Sequence, residues 1–153
     1  ITSLGTKPWF NASEGTLVVD YKKNGAGAST YVVVVKLDNG TDDNRIAIFT
    51  KPSNSSDVVL EINDTTVQQY LLDASIAGTN IRVKAALAYK ANYSNGAYNG
   101  TVGTTDTNCS ISAATILRIG ITADFPQPLT GTIRSITYYP RRLSNSSLKT
   151  LTS

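Results

Sequence analysis

Two short stretches concentrate the side chains that could hold a ligand. The first, Tyr89-Lys90-Ala91-Asn92-Tyr93-Ser94-Asn95-Gly96-Ala97-Tyr98-Asn99-Gly100, carries three tyrosines and three asparagines. An aromatic ring offers an apolar face with a polar edge, and side-chain amides both donate and accept, which together suit a sugar ring and its hydroxyls. Tyr89 continues the apolar face of a strand and belongs to the core. Asn92, Tyr93, Asn95, Tyr98 and Asn99 are therefore the candidate carbohydrate-binding residues, and a polar hairpin whose tyrosines shield a sheet edge is the alternative. The second stretch crowds Asp38, Asn39, Asp42, Asp43 and Asn44 into one loop. Asp38, Asp42 and Asp43 offer the hard oxygens that calcium prefers. The spacing is not that of an EF-hand, and Asp, Asn and Gly make turns without any metal. A turn is the preferred reading.

Other chemistries are excluded by what the chain lacks. It has no histidine, which removes Ser-His-Asp and Cys-His catalysis and imidazole-bound zinc. Glycoside hydrolysis needs two carboxyl groups flanking one bond. The two glutamates, Glu14 and Glu61, have no acidic partner at a suitable spacing. Cys109 stands alone, so it forms neither an internal disulfide nor a thiolate cluster. No enzyme is expected. The net charge of +3 is spread along the chain apart from Lys22–Lys23 and Arg141–Arg142, which argues against nucleic acid. No apolar run approaches the roughly 20 residues of a membrane span, so no membrane insertion is expected.

The elements that must carry these residues are strands. Of 153 residues, 20 are Thr, 15 Ser and 12 Asn, against only 2 Glu and 3 Gln. Thr, Val and Ile favour strands, and Asn and Ser favour turns. Ile81–Lys90 alternates strictly, with Ile81, Val83, Ala85, Leu87 and Tyr89 on one face. Tyr31–Leu37 is a nearly continuous apolar run, expected of a strand covered on both sides. Further strands are expected at residues 15–22, 45–51, 58–63, 67–72, 116–121 and 131–139. Turn formers separate them: Asn24-Gly25, Asp38–Gly40, Pro52–Ser56, Ala77–Asn80 and Phe125–Pro128. The spacing predicts one all-β domain over residues 1–153, a sandwich of two antiparallel sheets. Near the end, Leu143, Leu148 and Leu151 could line a short helix capped by Ser144.

The two ends carry a resemblance. Leu117-Arg118-Ile119-Gly120, then Leu129–Ile136 beginning its strand at Gly131, then Tyr138-Tyr139-Pro140-Arg141-Arg142-Leu143-Ser144 resemble the close of a laminin-G/concanavalin A-like jelly roll. The Tyr-Tyr-Pro-Arg-Arg-Leu-Ser form, with Trp9–Thr16 at the start, is similar to modules ending bacteriophage tail fibres and tailspikes. The sequence departs from that pattern at Ser147, where an acidic residue is usual. The resemblance implies a non-catalytic fibre-end module in the virion, outside the cell. It further implies a homotrimer binding bacterial surface polysaccharide or lipopolysaccharide, or serving only as a trimerising cap. Ile1 and the lack of any Met suggest a piece of a longer protein. Trp9 is expected in the core or at a subunit contact. Eight Asn-x-Ser/Thr triplets leave a glycosylated surface module as a further reading.

Overall fold

The structure, a computed structural model, describes residues 2–5, 7–25, 31–52, 56–121 and 128–153. In chain order the strands are β1 (Thr2–Ser3), β2 (Glu14–Lys23), β3 (Val32–Asp38), β4 (Arg45–Thr50), β5 (Val58–Asp64) and β6 (Val67–Ala74). After these come β7 (Arg82–Lys90), β8 (Asn95–Tyr98), β9 (Thr101–Val102), β10 (Ile116–Ile119) and β11 (Gly131–Tyr139). Helix α1 (Asn145–Thr152) closes the chain. One sheet runs β1-β10-β3-β4-β5-β6 and the other β11-β2-β7-β8-β9, with every pairing antiparallel. The fold is a two-sheet jelly-roll sandwich with a short terminal helix. Among the described residues no helix is long and apolar enough to cross a membrane.

Alternation places one face of each strand in the core. Leu17, Val19 and Tyr21 of β2 and Val83, Ala85, Leu87 and Tyr89 of β7 face Val35, Leu37, Ile46, Ile48, Leu60 and Ile62 of the other sheet. The strand expected at 116–121 stops at Ile119, because Gly120 turns into the left-handed region at φ +68°. Three strands escaped the sequence pattern, the short β1 and the pair β8 and β9. Asn95-Gly96-Ala97-Tyr98 is poor in strand formers, yet it pairs with Ala85–Ala88 to form β8, and β9 pairs with it in turn. A Cβ on Gly96 would meet Leu60 at 2.5 Å and the Tyr70 hydroxyl at 3.2 Å, so the close approach of the sheets selects glycine there.

The motif at the two ends closes the sandwich. Tyr138 and Tyr139 alternate, Tyr138 inward and Tyr139 in register with Thr16. The Tyr138 and Tyr89 hydroxyls pair at 2.9 Å, and both reach the Asn11 carbonyl oxygen at 2.9 Å. Burial and this pairing push the Tyr89 phenol far above its ordinary pKa. Gly15 lies under the pair, where a Cβ would sit 2.5 Å from one hydroxyl and 2.7 Å from the other. Gly15→Ala is expected to cost about 1–3 kcal/mol by overpacking, read from urea unfolding. An unchanged midpoint would mean that the tyrosine pair is not a fixed brace.

Ser144 caps the helix as expected, its hydroxyl accepting from the Ser147 amide at 3.1 Å. Leu148 is fully buried against Ala86, Ala88 and Ala97, with Leu143 beside them. These residues lie on the outer side of β7 and β8, so Leu143 joins a satellite cluster and does not return to the central core. Trp9, expected in the core or at a subunit contact, lies outside the core, 43% exposed on the single chain and edge-on to Phe10 and Tyr138. Cys109 is buried, with its thiol 3.1 Å from the Ser94 hydroxyl.

Candidate functional site

The outer face of the six-stranded sheet is set by the residues that alternate with the core. In register, Arg118, Lys36, Ala47, Glu61 and Leu71 form one row across the sheet. Asp38, Arg45, Asn63 and Gln68 form the next. Every residue of β3 is buried. The sequence reading attributed that to apolar cover on both sides, whereas the outer side is an ionic network. Lys36 is fully buried and pairs with Asp38 at 3.4 Å and with Asp42. Arg118 Nε donates to Asp38 at 2.8 Å, and the Gly40 amide donates to the same carboxylate at 2.8 Å. Arg45 reaches Glu61 through Nε at 3.0 Å and Nη2 at 2.9 Å, and Gln68 Nε2 donates to Glu61 at 3.1 Å. Buried charges are tolerated only when paired and hydrogen-bonded, and each of these meets that condition.

Beside the charges lies an apolar patch of Val33, Ala47, Phe49 and Val59. Tyr31, 50% exposed, stands edge-on to Phe49 with ring centroids 6.4 Å apart. The Arg45 guanidinium lies 5.8 Å from the Phe49 ring centre. At the sheet edge, β6 and the 104–107 loop bound an open groove of about 420 Å³. Gln68, Gln69, Leu71, Asp106 and three threonines line it. Its wall is braced from behind. Thr105 accepts from the amides of Asn95 at 3.1 Å and Asn145 at 2.9 Å, and Asp106 exchanges two backbone bonds with Ser94. The Tyr70 phenol, pushed up to about 12 by burial, stays protonated and donates to Asn95 Oδ1 at 3.2 Å.

Chemically, this side of the sheet holds a paired, hydrogen-bonded charge row next to a buried apolar cluster, with the half-exposed Tyr31 at its rim. Lys36, Arg45 and Arg118 balance Asp38, Asp42 and Glu61, so the network carries no net charge. The carboxylate oxygens accept from amides and cations, which fixes these side chains in place.

The structure does not bring the five candidate sugar residues together. Tyr93 is 46% exposed, with the Arg142 guanidinium 3.9 Å from its ring centre. Asn95 is fully buried, and its amide is engaged by Tyr70 and Thr105. Tyr98, at the other end of β8, packs half-buried against the central core. Asn92 and Asn99 take left-handed turn conformations at φ +57° and +43°. Their bonds are structural: the Asn92 amide donates to the Cys109 carbonyl, and Asn99 Oδ1 accepts from the Lys84 amide. The segment leads into the hairpin of β8 and β9 on the edge of β7.

The loop of the calcium candidates Asp38, Asp42 and Asp43, for which a turn is the preferred reading, makes other bonds. The Lys36 ammonium already supplies the positive charge between Asp38 and Asp42, while Asp43 is exposed and its carbonyl accepts from Thr66. Among the described residues no three His, Cys, Asp or Glu side chains converge. The residues that sequence reasoning missed left a signal. Lys36 interrupts a valine run, Arg118 sits between Leu117 and Ile119, and Arg45-x-Ala47-x-Phe49 and Val59-x-Glu61-x-Asn63 share a two-residue period.

No family model matches the chain, and no curated protein matches its sequence. Solved structures do match its fold. The carbohydrate-binding module CBM40 of the Ruminococcus gnavus IT-sialidase, solved with α2,3 sialyllactose, superposes with a TM-score of 0.75 at 20% identity. That match covers 99% of this chain and 91% of the module. Leech intramolecular trans-sialidase matches at 0.74 and 21% identity over 99% of this chain but 25% of the enzyme. Domain 4 of AbnA, an extracellular arabinanase of Geobacillus stearothermophilus solved with arabinotriose, matches at 0.70 and 13% identity, covering 94% of this chain and 68% of that one. The shared feature is the jelly-roll sandwich. None of these three is a phage fibre protein.

Proposed function

We propose that this domain is a non-catalytic carbohydrate-binding module whose site is the outer face of the six-stranded sheet and its β6 edge groove. The observation that carries the reading is the juxtaposition of the Tyr31–Phe49 patch with the Arg45–Glu61–Gln68 row. An apolar ring face beside rigid donors and acceptors is the chemistry of sugar recognition. The absence of net charge in the row favours hydroxyl-rich, neutral oligosaccharide. Modules of this fold solved with saccharides support the reading. The residue motifs at both chain ends support a wider setting, a fibre-end trimer that meets bacterial polysaccharide or lipopolysaccharide. Trimerisation would turn three weak sites into useful avidity.

An oligosaccharide array carrying neutral and sialylated glycans, read alongside a reducing-sugar assay, tests the proposal. Saturable binding without product release is expected, and Arg45→Ala should weaken it about 10-fold, as loss of a charge-assisted hydrogen bond does. Binding unchanged in Arg45→Ala would move the site elsewhere. Steady release of reducing ends would make the domain an enzyme. Light scattering at the same concentration reads the trimer directly.

A further inference from the structure

The opposite side of the sandwich has a different character. The outer face of the five-stranded sheet is half covered by α1, which packs on Ala86, Ala88 and Ala97. The other half collects cations. Lys22 of β2 and Arg82 of β7 are register neighbours, and Lys84 stands opposite Asp20. Arg134 sits at the β11 irregularity between Ile133 and Ser135, and Lys149 lies in the last turn of α1. The Lys84 ammonium bonds the Ser153 carbonyl oxygen, which ties the helix end to this patch. Five of the chain's fourteen cations and one of its eleven acids therefore share the part of this face away from the Glu14–Lys90 pair. Their sum, +4, exceeds the +3 of the whole chain, so the remainder is slightly acidic.

The single acid does not neutralise the patch. Asp20 is clasped by Arg82, through Nε at 2.6 Å and through Nη2. Its carboxyl is held below the ordinary range, first by the Arg82 hydrogen bond and also by the charges of Arg134 and Lys84, which places both within electrostatic reach. A cleft of about 240 Å³ opens between Arg82, Lys84, Asn99 and Thr152. Among the described residues the large exposed hydrophobic that borders this end is Ile81, and no exposed aromatic ring lies there. Binding of single-stranded nucleic acid relies on aromatic stacking as well as charge. A chain of spaced anions without bases is the better complement.

We propose that this basic face binds an acidic polysaccharide, one bearing sulfate, phosphate or carboxylate groups, independently of the site on the other sheet. Lys22, Lys84, Arg134 and Lys149 would meet successive anionic groups, and Arg82 would stay paired with Asp20 as the fixed centre. The interaction is electrostatic, so it weakens as salt rises.

Heparin serves as the probe, with the full chain titrated at low and physiological salt. The charge-reversal pair Lys84→Glu/Arg134→Glu is expected to weaken binding by about 10-fold or more. A second pair on separate elements, Lys22→Glu/Lys149→Glu, should act likewise if the first perturbs folding, with circular dichroism checking both. The control pair Lys7→Glu/Arg141→Glu, of equal net charge, should stay within about 2-fold of the parent. Equal loss in the control would reduce the effect to overall charge and overturn the proposal, as would no binding to heparin by the parent chain. Equal affinity for single-stranded DNA of matched length would also overturn it, in favour of nucleic acid. Neutral-oligosaccharide binding, carried by the other sheet, should persist in the first two pairs, so failure of one reading is distinguishable from failure of the other.

Discussion

Replacing Lys36 by methionine is expected to destabilise the domain by about 3–5 kcal/mol. The side chain is fully buried between Asp38, itself fully buried, and Asp42. Methionine fills a similar volume, so the loss comes from charge and not from a cavity. It strips one cation from the network and leaves Arg118 alone to balance Asp38. Breaking a buried ion pair from one side costs far more than removing both partners, because the remaining charge is stranded in a poorly solvating site. The double variant Lys36→Met/Asp42→Asn, which keeps Asp38 paired with Arg118, should therefore recover part of the loss. Urea titrations of the three proteins check this. A single variant as stable as the parent would mean that water reaches Asp38, and that the network is not the rigid support described above.

The second large effect is expected at Leu148. Helix α1 has only eight residues, too few to persist in water on its own. It is held by Leu148, fully buried against three alanines on β7 and β8 and flanked by Val18, Val102 and Leu143. Alanines at 86, 88 and 97 let the helix backbone approach the sheet, so one leucine fills most of the space between them. Leu148→Ala should cost about 2–5 kcal/mol, the usual range for a buried leucine truncation. Amide exchange across residues 145–152 should accelerate before the sheets open. A stability change below about 1 kcal/mol, typical of a surface substitution, would show that the helix is held mainly by its polar bonds, such as Asn145 to Thr105.

Much of the fold was legible because burial is written in strand alternation. Ile81–Lys90 alternates cleanly and became β7, and the eight longer strands lie within a residue or two of the stretches chosen for them. Ser144 was readable as a cap because its hydroxyl has a local job that needs no tertiary context. The hairpin strand β8 was not legible. Asn95, Gly96 and Ala97 are chosen by contacts with Tyr70, Leu60 and α1, which lie far away in sequence. The site was less visible than the fold for a related reason. Polar side chains in a loop, such as those of residues 92–99, advertise themselves, whereas Lys36 and Arg118 hide inside apolar runs. Their significance depends on register, which pairs Lys36 with Arg118 across strands distant in sequence and sets Arg118 on Asp38, 80 residues away. Asp38 and Asp42 look like metal ligands until that register brings a lysine between them.

The central claim is that the outer face of the six-stranded sheet, and not the tyrosine hairpin, meets the saccharide. The most direct test is a backbone-amide chemical-shift titration of the isotope-labelled domain with an oligosaccharide selected on the array. Saturable shifts centred on β4, β5, β6 and the 104–107 loop are expected, with Arg142 and the Tyr98–Asn99 end of the hairpin unmoved. Shifts centred on Tyr93 and Arg142, with β4 and β5 silent, would contradict the claim and return the site to the hairpin.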